Sequence, residues 1–443
     1  MLTKEENELI CHVGPGTPMG NLMRQYWIPA MLSREVTADG DPLRVQLLGE
    51  QLIAFRDSTG QVGLIQNACP HRGASLFFGR NEDRGLRCVY HGWKFEVSGA
   101  CVDMPNEPAE SNFKQKIKAT AYPCVERGGL VWTYMGPREA PPPLPNLEAN
   151  LLPEEETAVN AVLRECNWLQ ALEGDIDTSH FGFLHRGSVR WDELEPGTFQ
   201  YYALRDRAPH YAMVDTNAGA MYGGYRDADE GHDYWRIAHF LFPFYTMAPG
   251  GMLGMGKGVI CRVPMDDEHT MNFTISPRLR GRPGPIPPGS VSDPAYERMG
   301  RGMLPNTTDW HGRFRMAANR ENDFDIDREM QRRNRGNNGY TGIVGNEQDQ
   351  AITESMGPIV DRTLEHLGTA DVMIIRVRRR LIAAAQALAD SGTVPPGVDH
   401  PDVYLQRSGG AILPKGVDWI EATADLRKPF SKHPELNLAI ANA

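Results

Sequence analysis

The sequence predicts an α+β chain, with a small all-β module followed by a larger domain of mixed strands and helices. Three observations predict it. Strand-like segments fill residues 43 to 66 and resume up to residue 134; a stiff Glu139-Ala-Pro-Pro-Pro-Leu-Pro run follows; beyond it alternating patterns give way to helical ones. At 443 residues the chain exceeds the ~250–300 at which one core stops growing. The expected division is an N-terminal segment over 1–42 packing on the second domain, a first domain over 43–138, and a second over 150–443.

In order, Leu43-Arg-Val-Gln-Leu-Leu, Gln51-Leu-Ile-Ala-Phe and Val62-Gly-Leu-Ile read as strands, punctuated by Gly49 and the Asp57-Ser-Thr-Gly turn. Strands resume around Phe95–Val102 and Gly129–Tyr134. The proline run cannot join a sheet and marks the boundary. Tyr234-Trp-Arg-Ile-Ala-His-Phe-Leu-Phe and Met271-Asn-Phe-Thr-Ile read as strands of the second domain, and Asp371-Val-Met-Ile-Ile-Arg-Val-Arg-Arg-Arg-Leu-Ile-Ala-Ala-Ala as a helix. Gly254-Met-Gly-Lys-Gly resembles part of a phosphate loop but lacks the spacing and the following helix, so it reads as a bend. Residues 279–345, rich in Arg, Gly, Pro and Asn, have weak periodicity; a stretch that long is functional or disordered, and a cover over an active site is expected.

Net charge is −11, which disfavours a nucleic-acid partner. No run approaches the ~18 apolar residues that span a bilayer, and the charged N-terminus lacks an apolar signal core. Cys11, Cys101, Cys124, Cys166 and Cys261 are scattered and odd in number, which fits reduced thiols and a cytoplasmic location better than a disulfide framework.

Cys69-Pro-His71 is followed, after sixteen residues, by Cys88-Val-Tyr-His91. Two thiolates and two imidazoles so spaced form the ligand set of a Rieske [2Fe–2S] centre, in which one iron takes both sulfurs and the other both ring nitrogens. A Cys₂His₂ zinc site uses the same ligand types. Zinc sites, however, pair Cys with Cys and His with His, whereas each motif here holds one of each. Gly73 and Gly92-Trp93 also suit tight loops around a buried cluster. The run of cysteines of a plant-type ferredoxin is absent, so flavin and the first electron entry are expected in another protein.

A second constellation is Asn167-Trp-Leu-Gln-Ala-Leu-Glu173-Gly-Asp175-Ile-Asp177-Thr-Ser-His180-Phe-Gly-Phe-Leu-His185. A five-residue spacing turns His180 and His185 about 140° apart on a regular helix, so both can face one metal only if the helix ends or bulges, which Gly182 permits. Two His and one carboxylate with open positions bind non-haem Fe(II). The carboxylate could be local (Glu173, Asp175 or Asp177) or distant: Asp349, in Glu347-Gln-Asp-Gln-Ala-Ile, is a candidate whose alternative is a helix N-cap. Asp177, three residues before His180, is placed to orient its ring.

These residues together resemble the oxygenase component of Rieske non-haem iron aromatic-ring-hydroxylating oxygenases. Val13-Gly-Pro-Gly-Thr-Pro-Met-Gly, Tyr90-His-Gly-Trp-Lys-Phe, Pro105-Asn-Glu-Pro-Ala-Glu-Ser, Gln348-Asp-Gln-Ala and Glu354-Ser-Met-Gly-Pro-Ile-Val-Asp-Arg place it nearest the phthalate 4,5-dioxygenase group. The resemblance implies a β-sandwich Rieske domain and a catalytic domain of antiparallel sheet flanked by helices (helix-grip-like). It implies a mononuclear iron held by His180, His185 and Asp349, with Glu347 next in line. It also implies Asp177 bridging His180 to His91 of a neighbouring subunit, in a trimer or stacked trimers without a small subunit. A separate NAD(P)H-dependent reductase with flavin and a [2Fe–2S] cluster would supply electrons. O₂ and an aromatic carboxylate such as a phthalate-like compound would be the substrates, dihydroxylated or, alternatively, monooxygenated or O-demethylated. Arg207 and Arg236, on segments read as strands, are candidate anchors for a substrate carboxylate. A different class, an electron carrier or redox sensor, needs only the cluster module and leaves the longer part of the chain without a role.

Overall fold

The computed structural model describes residues 2–430 apart from 109, 279–301, 335, 337, 338 and 346. The expected cover over 279–345 therefore falls partly outside the described residues, as does the end of the second domain beyond 430.

In the first module, Leu43–Leu47, Glu50–Arg56, Val62–Gln66 and Ala121–Tyr122 form one four-stranded sheet, and Arg80–Glu82, Gly85–Arg87, Lys94–Phe95 and Cys101–Asp103 a second. Ile53, Phe55, Ile65, Leu86 and Phe95 pack into a small core of their own, and Cys69, Cys88 and Trp93 close it at one end. A third sheet orders Trp27–Leu32, Leu130–Tyr134 and Cys124–Arg127. The N-terminal segment thus divides. Its strand joins the module's last strand, whereas its first helix, Lys4–Cys11, meets the second domain: Asn167 Nδ2 donates to Cys11 O at 3.0 Å and Trp168 Nε1 to Ile10 O at 3.3 Å.

The second domain is an eight-stranded antiparallel sheet in the order Thr157–Arg164, Thr270–Pro277, Val259–Pro264, Tyr245–Met247, His232–Leu241, Gly219–Asp227, His210–Asp215, with Gly409–Pro414 also paired to His232–Leu241. Cross-strand pairing puts Val162, Asn272, Arg262, Thr246 and Phe240 on one face. Helices Trp168–Ile176, Glu347–Ser355 and Val372–Ser391 belong to this domain. A buried ion group ties the first of them to the last and to the segment between the other two: Glu173 accepts from Arg378 Nε at 2.5 Å and from Arg362 Nη2 at 3.0 Å. The Leu204-Arg-Asp-Arg207 segment is not a strand. Thr198 caps a helix over Phe199–Arg205, accepting from Tyr201 N, and that local bond outweighs the short alternation.

The module and the sheet are joined by backbone bonds, from Leu48 N to Pro264 O at 3.1 Å and from Gly49 N to Met265 O at 2.8 Å. Gly49 has φ +77°, and a Cβ there would lie 3.1 Å from Gly14 Cα, so the close approach requires glycine. All seven cysteines are free. Among the described residues no helix is long and apolar enough to cross a membrane.

Candidate metal centres

The two cluster loops repeat one local design. Cys69 N donates to Ala74 O and Gly73 N to Cys69 O; Cys88 N donates to Trp93 O and Gly92 N to Cys88 O, at 2.8, 2.9, 2.8 and 3.0 Å. Gly73 and Gly92 take φ +76° and +77°, the left-handed turn that closes each loop. Both sulfurs are buried, and burial pushes the Cys69 thiol up to about 11, with the Cys88 sulfur nearby. A soft cation that replaces those protons would relieve that cost. The imidazoles of His71 and His91 sit edge to face at 4.4 Å, and His71 stacks on Trp93 at 4.3 Å. His91 Nδ1 is buried without a partner among the described residues. An orphaned ring nitrogen beside a second imidazole and two buried sulfurs fits a [2Fe–2S] cluster. At the same tip Val89 and Tyr90 are exposed.

The second centre is assembled from two distant segments. Helix Trp168–Ile176 stops at Asp177, and a single turn of tighter helix over His180–Gly182 follows. That break brings the histidines together: their Nε2 atoms lie 3.1 Å apart, with the rings at 67°. Asp349 Oδ1 is 3.5 Å from His180 Nε2 and 3.2 Å from His185 Nε2. Adjacent corners of an octahedron with bonds of ~2.1 Å lie ~3 Å apart, so the triangle has the dimensions of three ligands on one face of a metal. Although burial opposes it, the two rings hold Asp349 below the usual carboxylate range.

Each ring is oriented through its other nitrogen. Asp177 Oδ2 lies 3.4 Å from His180 Nδ1, while its Oδ1 accepts from Ser179 N and Oγ at 2.7 Å each. His185 Nδ1 meets Gln348 Oε1 at 2.7 Å, and the Gln348 amide is itself tied to Thr341 Oγ1 and Ile343 O. Gln348 escaped the sequence reading as a positioning residue, although it precedes Asp349; the signal was an amide next to a candidate ligand.

Of the candidate carboxylates, only Asp349 lies beside both histidines. Glu173 is taken by arginines, Asp175 by Arg262 and Thr246, and Asp177 by His180 and Ser179. Asp349 lies in the first turn of helix Glu347–Ser355, so it is not a cap, and Glu347 is not in the triangle. Asp349 and Glu347 line a cavity of about 780 Å³. Neither predicted arginine lines it. Arg207 is exposed over the Phe183 ring, at 5.5 Å. Arg236 is buried over Phe199 at 4.1 Å, its Nε and Nη1 without partners among the described residues.

Asp266, His269 and His311 form another His₂–carboxylate group, at the junction of module and sheet, where Gln46 Nε2 also reaches Asp266. Here the rings stack at 3.8 Å and 12°, and each bonds a different oxygen of Asp266 at 2.9 Å. Parallel rings do not converge on one ion.

Comparison with known proteins agrees with this anatomy. A Rieske [2Fe-2S] domain model matches residues 26–123, and a model described as LigXa C-terminal domain like matches 133–437. The chain is 46% identical over 432 residues to the 3-chlorobenzoate-3,4-dioxygenase oxygenase subunit of Comamonas testosteroni, covering 94% of this chain and 96% of that protein. It is 36% identical over 440 residues to the phthalate 4,5-dioxygenase oxygenase subunit of Pseudomonas putida, covering 95% and 94%. Among solved structures, a mutant of NdmA from Pseudomonas putida CBB5 with theobromine shares the fold, with a TM-score of 0.54 at 19% identity, covering 90% of this chain and 99% of that one.

Proposed function

The chain belongs to the Rieske non-haem iron oxygenases, as an oxygenase subunit, and from that premise we propose that it hydroxylates an aromatic carboxylate, with cis-dihydroxylation as the outcome. The observation that carries the reading is the His180–His185–Asp349 triangle, which has the dimensions of three ligands on one face of a metal and whose Asp349 lines a cavity of about 780 Å³, within the ~300–1,000 Å³ of small-molecule sites. When bound, the Rieske cluster supplies electrons singly and the mononuclear iron supplies the place where O₂ reacts.

The chain's own residues do the positioning. Cys69, Cys88, His71 and His91 hold the cluster; Asp177 and Gln348 fix the rings of His180 and His185 so that both present Nε2. The exposed tip at Val89 and Tyr90 supports docking against a second copy, with Asp177 linking His180 to His91 of the partner subunit in a trimer or stacked trimers. Electrons would come from a separate NAD(P)H-dependent reductase carrying flavin and a [2Fe–2S] cluster. Both relatives named above are designated oxygenase subunits, which supports a multicomponent system.

The alternative outcome is monooxygenation or O-demethylation, which the same triad serves if a methoxy group rather than a ring edge faces the metal. Product analysis under ¹⁸O₂ with a panel of benzoates, phthalates and methoxybenzoates decides. The proposal expects two labelled oxygens in a diol of an aryl carboxylate. A single labelled oxygen assigns the alternative, and turnover confined to uncharged aromatics removes the carboxylate reading.

A further inference from the structure

The wall of the cavity beside Asp349 carries charge that the fold leaves unused. Arg164 ends strand Thr157–Arg164 and Arg262 lies on Val259–Pro264, and strand pairing sets both on the face that bears the triad. Both line the cavity. Both are more than nine-tenths buried, at 6% and 5% exposure. Arg262 spends Nε and Nη2 on Asp175, at 2.8 and 2.5 Å, but its Nη1 has no partner among the described residues. Arg164 has two such nitrogens, Nε and Nη1.

A buried guanidinium without an acceptor is costly to fold. The nearby carboxylates do not meet the need. Asp175 is committed to Arg262 and Thr246, Asp349 is turned to the two histidines, and Glu354 accepts from Glu165 N through Oε1 at 3.0 Å, while its Oε2, like Arg164 Nε and Nη1, has no hydrogen-bond partner among the described residues. Three N–H donors on two strands are therefore unpaired, on arginines that line the same cavity as Asp349.

We propose that Arg164 and the free edge of Arg262 bind the carboxylate of the substrate and thereby set which ring carbon lies nearest the metal. This rests on the reading of the substrate as an aromatic carboxylate. It places the recognition of that group on the sheet side of Asp349, away from the Phe181–Phe199 setting of Arg236.

The test is calorimetric titration of the anaerobic, metal-loaded enzyme with 3-chlorobenzoate and with its methyl ester, for wild type, Arg164→Met, Arg164→Lys and Arg236→Met. Charge-assisted hydrogen bonds of this kind correspond to a roughly 10- to 100-fold change in affinity. Arg164→Met is expected to weaken the acid by that factor and the ester by less than about 3-fold, with thermal stability held or raised because an unpaired buried charge is gone. Arg164→Lys keeps the charge without the fork, so it falls between. Unchanged binding of the acid by Arg164→Met overturns the inference. If Arg236→Met alone loses the acid, the inference falls while the carboxylate reading stands. If wild type binds acid and ester equally, both fall.

Discussion

His180 and His185 meet with their rings at 67°, whereas His269 and His311 lie stacked at 12°, although each pair shares one aspartate. The difference lies in what the carboxylates do. In the first group Asp177 and Gln348 occupy the Nδ1 atoms, so both Nε2 lone pairs turn toward each other and toward Asp349. In the second, one carboxylate uses both oxygens to hold both rings, which lie parallel instead of turning toward a common point. The same three residue types thus make a candidate metal site in one place and a hydrogen-bonded clamp between module and sheet in the other. Composition of a cluster does not decide its chemistry; the acceptor behind each ring does.

The largest effect that separates the two groups is loss of the mononuclear metal. His180→Ala is expected to abolish product and to lose that iron while the visible spectrum of the cluster persists. His269→Ala is expected to keep all of the iron and measurable turnover. Iron loss in the second variant and not the first would invert the comparison. Next comes Asp177→Asn, which keeps a hydrogen-bonding group but removes the charge behind His180. It should retain both centres and turn over roughly 10- to 100-fold more slowly. Normal turnover, with iron content verified, would count against its linking role. Gln348→Leu removes the acceptor behind His185, and a competition titration with a chelator should show iron held about 10-fold more weakly.

The smallest effect concerns stability and pH. Although burial opposes it, Asp266 raises the His269 pKa above its ordinary value, while His269 and His311 hold Asp266 well below its own. A raised histidine stabilises the fold fully below ~6.5 and loses that contribution as pH rises through the raised value. Glu165 and Glu268 act on His269 in the same sense. Asp266→Asn should therefore cost about 1–2 kcal/mol at pH 6, and less at pH 8, by denaturant unfolding. A penalty that grows with pH would show that the clamp does not depend on protonated His269.

How much could be read from the residues follows from the reach of each contact. The cluster loops are legible because the turns that carry Cys69 and His71, or Cys88 and His91, are closed by bonds spanning no more than five residues. His180 and His185 were legible as a pair, and Gly182 as the place where the helix could yield. Asp349 was not decidable from spacing, because 163 residues separate its neighbour Gln348 from His185 and only the folded sheet brings them together. The family resemblance chose Asp349 where local reasoning left it level with a helix cap. The strand expected around Arg207 rests on alternation over only four residues, which says little beside the Thr198 cap of helix Phe199–Arg205. Arg164 and Arg262 went unnoticed, although each stands at the inward position of a strand where an apolar residue is the ordinary choice.

Central to the account is that one polypeptide holds two different iron centres. Quantification of iron and acid-labile sulfide in pure, fully loaded protein tests it directly. The account predicts two inorganic sulfides and three irons per chain, two in the Rieske cluster and one at the triad. Two irons with two sulfides, or zinc in place of iron at either centre, would contradict it.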